Sequence, residues 1–167
     1  ISQVKIETRL HTGDWWGNGE PIHISAVRGK PGIALGHIKN VTLRDIICKS
    51  ENGILIYGTE ENIIENVKLE NIDFVLTESK LNEVAGGNID LRGCLDQNYS
   101  LVSSDIPALY AQYVKGLSVN DFSLEWKDIT APFFTDGIKV NHYSGLKIYD
   151  FKGTGAPGTD RAPRHPD

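Results

Sequence analysis

Residues 12–21, TGDWWGNGEP, bring together residue types that could contact a ligand. Three glycines, two adjacent tryptophans and two carboxylates fall within this short stretch, a composition that does not suit a buried core. Glycine permits positive φ and close approach of a ligand to the backbone. Tryptophan offers a flat apolar face with one polar N–H, which suits a sugar ring. We therefore expect Asp14, Trp15, Trp16 and Glu20 to contact a ligand. The alternative is a long turn whose tryptophans cover the outside of the fold.

Two further polar groups could join this stretch. The first group, Glu51 and Asn52, comes just before a short apolar strand. The second group, Asp90 and Arg92, lies within another such strand. If the strands stack in register, all three groups occupy the same side of successive coils and line one groove. The alternatives are a solvated turn residue at Glu51 and a surface ion pair between Asp90 and Arg92.

A nine-residue phrase that occurs five times indicates which elements must hold these side chains. Its copies are ISQVKIETR, IKNVTLRDI, IENVKLENI, VKGLSVNDF and YSGLKIYDF, which begin at residues 1, 38, 64, 114 and 143. Apolar side chains at the fourth and sixth positions alternate with polar ones, which is the period of a strand with one buried face. Turn-forming Asn, Asp or Gly stands at the third and eighth positions of four copies. Such a unit, recurring after roughly 25 residues or more, predicts stacked coils.

A second set of strands completes the predicted coils. These strands are expected at residues 21–27, 53–57, 87–92 and 137–142, with another within 106–113 and an excursion that includes a short helix within 76–86. Each strand would pair with its equivalent one coil away, at about 4.8 Å, which makes a parallel β-helix with a partial set of coils. We assign residues 1–151 to coils and the Pro- and Gly-rich residues 152–167 to a C-terminal tail. Two alternative folds fit the sequence less well. A β-sandwich has no reason to repeat the same nine positions, and a leucine-rich solenoid needs the pattern L-x-x-L-x-L.

Composition narrows the classes of function. The chain has 167 residues and a formal net charge of −5, which suits one domain and does not favour a nucleic-acid partner. No apolar run approaches the length of about 18 residues that a membrane span needs, and no signal peptide is recognisable. His11 and His23 lack metal-site spacing, so no metal or other cofactor is expected. Cys48 and Cys94 suit small buried or half-buried thiols, and their pairing stays open. Because the chain starts inside a repeat and contains no methionine, we expect further coils of the same protein before Ile1.

The repeats and the segments above resemble the C-terminal coils of polygalacturonase-like, pectinase-type glycoside hydrolases. That family carries a T-G-D-D motif, followed by G-H-G and R-I-K motifs on later coils. The corresponding segments here are Thr12-Gly13-Asp14, Glu51-Asn52-Gly53 and Asp90-Leu91-Arg92. The histidine of the second motif and one basic residue of the third are absent, and the family's leading N-T-D motif would precede Ile1. The resemblance covers most of residues 1–151 and implies a right-handed parallel β-helix.

The resemblance also implies a reaction. Family members hydrolyse glycosidic bonds with inversion, using two carboxyl groups about 6.5–9.5 Å apart. By this analogy Asp14 is the general acid, and Glu20 is the base or the neighbour that perturbs it. Arg92 would bind an acidic or hydroxyl-rich sugar, and Trp15 or Trp16 would stack on a ring. The missing histidine and basic residue favour a modified pectin, a rhamnogalacturonan or another complex glycan, processed by a secreted or periplasmic protein.

Two other functions stay open at this point. A non-catalytic carbohydrate-binding or adhesin-like β-helix would use the tryptophans and glycines equally well. A polysaccharide lyase on the same fold would want a Ca²⁺ site of clustered aspartates and a Lys or Arg base, and Arg92 beside Asp90 keeps this reading open. The products distinguish the three: none for a binding module, unsaturated sugars for a lyase, and new reducing ends without unsaturation for a hydrolase.

Overall fold

The computed structural model describes residues 1–13, 17–30, 32–91 and 101–158 of the chain. The described part is all-β with one short helix, as the repeats predict. In chain order the elements are β1 (Ser2–Thr8), β2 (His23–Ser25), β3 (Lys39–Ser50), β4 (Ile54–Tyr57), β5 (Ile64–Thr77), α1 (Asn82–Ala85), β6 (Asn88–Asp90), β7 (Leu101–Ser103), β8 (Leu109–Lys115), β9 (Ser118–Lys127), β10 (Ile138–Ser144) and β11 (Lys147–Lys152).

The parallel strands form two stacks that meet at a corner. The first stack runs β1-β3-β5-β9-β11, and the second runs β2-β4-β8-β10, with every pairing parallel. Ile64 at the start of β5 also pairs with Val114 at the end of β8, which joins both stacks into one curled sheet of nine strands. Because the chain visits the two stacks in turn, the architecture is a solenoid-like winding of parallel strands.

Columns of left-handed residues produce the bends of this winding. Asp45, Asn71, Asp121 and Asp150 occupy equivalent positions within their strands, and all four have positive φ. Asn and Asp tolerate this conformation better than other residues that carry a side chain. The Asn71 side-chain amide also donates to Asp45 Oδ1 at 2.8 Å, which links adjacent coils. A second column at the start of the strands contains Asn40, Asn66, Gly116 and Gly145, again with positive φ. The predicted turn-formers are therefore confirmed for four copies of the repeat.

The core lies between the two stacks, where like side chains lie above one another. Leu43 pairs with Leu69, which pairs with Val119, and the three are at most 5 % exposed. Phe74 and Phe122, one coil apart, make an edge-to-face contact with ring centroids 6.4 Å apart. Burial of this apolar column stabilises the coils by about 25 cal/mol for each Å² removed from water.

The first copy of the repeat does not have the predicted register. Val4 pairs with Ile46 instead of Val41, which places Gln3, with a φ of 57°, in the column of Asp45. The first copy therefore matches the half of β3 that follows the bend. The prediction was wrong because a pair of apolar residues two positions apart follows the left-handed residue at each end of the first half of β3. The first copy therefore fits either half of β3, and the alternation alone does not determine its register. Thr8 then meets Ser50, and its hydroxyl donates to Ser50 Oγ at 2.8 Å.

The strand predicted at 87–92 does not belong to the winding. β6 pairs antiparallel with β7 in a separate two-stranded sheet, and the neighbour of β4 is β8. Residues 88–90 are therefore not the coil that follows residues 51–56, which corrects the prediction of one groove along three successive coils. The apolar residues of β6 and its flank are buried, but against the outward face of β4 instead of the lumen. There Ile89 and Leu91 pack with Leu55.

The other predicted elements have counterparts in the structure. The strand expected within 106–113 is β8, and the short helix expected in the excursion is α1. After β11 the chain continues along the body, since Trp126 Nε1 donates to the Thr154 carbonyl at 3.0 Å and Ala156 is buried. Residues 159–167 of the predicted tail lie outside the described residues. In the part of the chain that the structure describes, no helix has the length and apolarity needed to cross a membrane.

Candidate functional site

The end of β3 holds the turn between β1 and β2. Ser50 Oγ donates to the Gly19 carbonyl at 3.2 Å, and the Asn52 side-chain amide donates to the Asn18 carbonyl at 2.9 Å. Glu51 Oε2 accepts the backbone N–H of Leu10 at 3.0 Å. These three consecutive side chains tie the glycine-rich turn, whose described residues pair with no strand, to the solenoid.

Two glycines let this turn pack closely. Gly19 has a φ of 76°, and a Cβ at this position would lie 2.2 Å from the Arg9 carbonyl oxygen. Gly17 has a φ of 80° and lies against Glu20 and His23. Both positions therefore require glycine for backbone reasons, independently of any ligand.

The excursion between β5 and β8 folds back onto the turn. The Asn18 side-chain amide donates to the Ala85 carbonyl of α1 at 2.6 Å. At the base of the excursion, Glu78 Oε2 accepts the backbone N–H of Ala131 at 3.2 Å, and Glu78 Oε1 accepts from Asn82. These contacts bring α1 and β6 beside residues 11–13 and Asn18, although the two segments are far apart in sequence.

A pocket of about 150 Å³ lies between the turn and the excursion. We call it the His11–Asp90 pocket; its described lining comprises His11, Thr12, Gly13, Asn18, Val84, Ala85, Asn88, Asp90 and Leu101. Asp90 is 1 % exposed, and His11 Nε2 is buried without a hydrogen-bond partner among the described residues. A carboxylate, an imidazole, two amides and a hydroxyl thus share one small space, which can exchange hydrogen bonds with a hydroxyl-rich ligand.

A second, smaller cavity adjoins the first. It has a volume of about 20 Å³, enough for one water molecule, and Glu20, Asn52 and Tyr110 line it together with Asn88, which also lines the His11–Asp90 pocket. The Tyr110 hydroxyl donates to Gln112 Oε1 at 2.7 Å. Burial raises the pKa of Tyr110, so its hydroxyl stays protonated at neutral pH and can donate.

Glu20, the predicted base, has a defined place in the turn. Its side chain is 5 % exposed, and Oε2 accepts the backbone N–H of Asn18 at 2.8 Å. The same oxygen lies 3.4 Å from His23 Nδ1. Glu20 therefore closes the turn upon itself, and a catalytic role for it stays a prediction.

The remaining predicted site residues fall in three places. Asp90 lies in the His11–Asp90 pocket, and Asn52 is buried beneath the turn. Glu51 lies in a separate cavity of about 70 Å³, which it shares with Glu7 and Lys49, so the structure does not bring it to Asp90. The others, Asp14, Trp15, Trp16 and Arg92, lie outside the described residues.

Sequence reasoning missed part of the pocket. The sequence gives His11 no metal-site spacing, and it does not single out Asn18 or Asn88 as site residues. The two asparagines could not be recognised as site residues from their type, because Asn is common in turns. Only the return of the excursion onto the turn places them together, and the repeat pattern carries no information about that fold-back.

The described residues contain no group of three or more His, Cys, Asp or Glu side chains arranged to hold a metal ion. Comparison of the chain with protein-family models, with curated proteins and with solved structures finds no match in any of the three.

Proposed function

We propose that this chain is a right-handed parallel β-helix that acts on a complex glycan, and that the His11–Asp90 pocket holds a sugar unit for hydrolysis. The observation that carries the proposal is that the buried Asp90 and the buried Nε2 of His11 belong to residues that line one pocket, together with Asn18 and Asn88. Sugar hydroxyls both donate and accept hydrogen bonds, and this lining offers both kinds of partner. A secreted or periplasmic location is part of the same proposal, since polysaccharides are met outside the cell.

Two carboxyl groups would carry the reaction. In the proposed step one carboxylic acid protonates the glycosidic oxygen, which leaves as a hydroxyl when the C–O bond breaks. The other carboxylate takes a proton from water, whose oxygen forms the new bond at the anomeric carbon with inversion. Asp90 is a candidate for one role because its carboxylate lines the pocket. Asp14 stays the predicted acid, and it follows directly after Gly13, another lining residue.

The pocket also favours Asp90 over Glu20 as the partner of Asp14. Glu20 lies in the one-water cavity, where a sugar ring does not fit, and the hydrogen bond that its carboxylate accepts from the Asn18 N–H holds the turn. Asp90 lies in the larger space, which adjoins the aliphatic side chains of Val84 and Leu101. Replacement of Glu20 should therefore lower stability more than the chemical step.

Reducing-end release from a panel of pectic and related polysaccharides tests the proposal. We expect activity from the parent chain, and a loss of about 10²- to 10⁴-fold in kcat for D90N and for D14N, because a general acid or base contributes that much. D73N is the matched control, since Asp73 is exposed on β5 and should leave turnover unchanged. Full activity of D90N would contradict its catalytic role. Detection of unsaturated products would show that the reaction is that of a lyase and not hydrolysis.

A non-catalytic carbohydrate-binding role is the second candidate. The contacts of Glu20 favour it, because one of the two predicted catalytic carboxylates is used to hold the turn. In that case glycans would bind with the same dependence on Asp90 and His11, but no reducing ends would appear. Binding measured by calorimetry, alongside the product assay, separates the two candidates.

A further inference from the structure

Two aromatic rings from neighbouring coils of the second stack lie flat against each other. Tyr113 of β8 and His142 of β10 have ring centroids 4.4 Å apart and ring planes 8° apart. The residues on either side of them pair in register, so the two rings occupy the same position on successive coils. Tyr113 is half-buried and His142 is exposed. We call these two residues the Tyr113–His142 pair.

The backbone is left-handed at both positions. Its φ is 47° at Tyr113 and 50° at His142, whereas the other described residues that combine a side chain with a positive φ are Asn, Asp or Gln. Asn, Asp and His enter this region more readily than other residues with side chains, and a bulky aromatic residue there is an outlier. Strain of this kind persists only where the surroundings impose it, and it is frequent at ligand sites. Asn would be the less strained choice at Tyr113.

Core packing does not account for the Tyr113 ring. It packs against neither of the two apolar clusters that the described residues form, although the next residue, Val114, is buried in the larger one. The equivalent position one coil earlier is Gly58, because the preceding Tyr57 pairs with Gln112. A Cβ on Gly58 would lie 3.1 Å from the Tyr113 Cβ, so the two positions adjoin and glycine places no side chain against the ring. The ring therefore serves the surface and not the core.

Amide and hydroxyl groups border the Tyr113–His142 pair. The Asn141 side-chain amide donates to the Tyr110 hydroxyl at 3.3 Å, and that hydroxyl donates to Gln112 Oε1 at 2.7 Å. Gln112 and Asn141 directly precede the two ring residues, and both are half-buried. A sugar ring can lay its C–H face on an aromatic ring while its hydroxyls exchange hydrogen bonds with amides. The surface beside β8 and β10 thus offers both kinds of contact.

The position of Tyr110 links this surface to the candidate site. Asn88 lines both the His11–Asp90 pocket and the one-water cavity, and Tyr110 lines that cavity as well. Tyr110 and Tyr113 are three residues apart on β8, which is about 10 Å along a strand. A chain of several sugars could therefore contact both places, whereas a single sugar in the pocket could not.

We infer that the Tyr113–His142 pair is a second sugar-binding surface, on which one ring of a longer glycan packs while another unit of the same chain occupies the His11–Asp90 pocket. The inference rests on the proposed function and adds that the substrate is a polymer and not a single sugar. A glycan that reaches the pair gains a ring contact, which should raise affinity roughly 3- to 10-fold.

The test compares two size fractions of one pectic or related glycan, the first of mono- and disaccharides and the second of longer oligosaccharides, with binding measured by calorimetry. We expect the parent chain to bind the long fraction roughly 3- to 10-fold more tightly than the short one. Equal affinity for the two fractions would overturn the inference and leave the proposed function intact. Failure of both fractions to bind would overturn both.

Variants locate the gain at the two rings. H142N and Y113N each remove one ring and introduce a residue that suits the left-handed backbone, so both should reduce the gain to roughly twofold or less while affinity for the short fraction stays unchanged. Y149N is the matched control, because Tyr149 is 54 % exposed on β11 in the other stack. An undiminished gain in H142N would overturn the inference, as would its loss in Y149N. The single H142N change keeps the test usable if replacement of Tyr113 disturbs β8.

Discussion

Gly19 lies where the turn between β1 and β2 crosses the end of β1, directly against the Arg9 carbonyl. Its φ of 76° and the 2.2 Å that would separate a Cβ from that oxygen exclude any side chain without a backbone shift. The same backbone accepts a hydrogen bond from Ser50. At this position the path of the chain, and with it the wall of the His11–Asp90 pocket, depends on the absence of a single methyl group.

Replacement of Gly19 by alanine should therefore destabilise the protein by more than about 2 kcal/mol, because left-handed strain and a steric clash act together. Gly32 is the matched control, since its φ is 78° but an added Cβ would meet nothing within 4 Å. G32A should cost only the strain of about 1–2 kcal/mol. Urea unfolding of both variants measures the difference. Equal losses for G19A and G32A would show that the close approach to Arg9 does not constrain the turn.

Cys48 is a free thiol inside the solenoid, between Ile6 and Phe74 of the neighbouring coils. It is 1 % exposed, and burial raises the pKa of the thiol to about 12. Since the thiolate is the reactive form, we expect no reaction with a disulfide reagent at pH 8 in the native protein, and one reacting thiol in urea, in a C94S background. Rapid native labelling would contradict the burial.

The same shift gives a dependence of stability on pH. The folded state holds the Cys48 proton more tightly than the unfolded state, so stability is complete below the unfolded pKa of about 9 and falls as the pH rises toward about 12. C48A should flatten this alkaline loss, although the smaller side chain lowers stability at neutral pH. Urea unfolding at pH 7 and at pH 10 provides the comparison, and an equal alkaline loss in both proteins would contradict the shift.

At the scale of the element, the long strands β3, β5 and β9 each have a left-handed residue in their interior, apart from the left-handed residues near the starts of β3 and β5. The Asp45, Asn71 and Asp121 column bends every strand at the same height, so the coils remain in register. Asn71 contributes twice, by its backbone conformation and by its hydrogen bond to Asp45. Two effects at one residue can be separated by substitution.

N71A should cost about 1–2 kcal/mol through left-handed strain, in addition to the lost hydrogen bond. N71G keeps the conformation and loses only the side chain, so it should cost less than N71A. Thermal unfolding of the two proteins gives the order. Equal losses for N71A and N71G, which both lack the hydrogen bond, would mean that the left-handed backbone conformation does not govern stability at this position.

The stacked strands could be predicted from sequence because their signals are local. Alternation and turn-formers in the copies at 38, 64, 114 and 143 lie within nine residues each, and these copies have the predicted register. The register predicted for the first copy was wrong. Gln3 adopts the same left-handed conformation as Asp45, but glutamine is not a typical turn-former, so its type did not indicate the bend. The prediction that β6 belongs to the coils was also wrong, because its apolar residues suit a coil strand and a surface hairpin equally.

The candidate site was less predictable than the fold for a related reason. Asp90 could be selected by its type and its place in an alternating strand, whereas its contact with the turn depends on the fold-back of the whole excursion. Asn18 illustrates this, since its partner Ala85 is a residue of α1. No local pattern links two such segments, so the pocket could not be derived from the repeat.

At the scale of the molecule, a regular solenoid carries one irregular face. Coils contact mainly their neighbours, and stability is approximately a sum of such contacts. The excursion and the glycine-rich turn depart from that regularity and meet on the outside of β4, where Leu55 packs with Ile89. The proposed glycan chemistry belongs to this irregular face, because the polar, partly buried side chains of the pocket collect there.

Hydrogen exchange with and without oligosaccharides from pectic and related polysaccharides tests this account most directly. We predict that saturating glycan slows amide exchange in residues 10–20 and 82–91 and in β7, and that D90N abolishes the protection while D73N retains it. Protection confined to other faces of the solenoid, or no change on addition of any glycan in the panel, would contradict the assignment of the His11–Asp90 pocket as a sugar site.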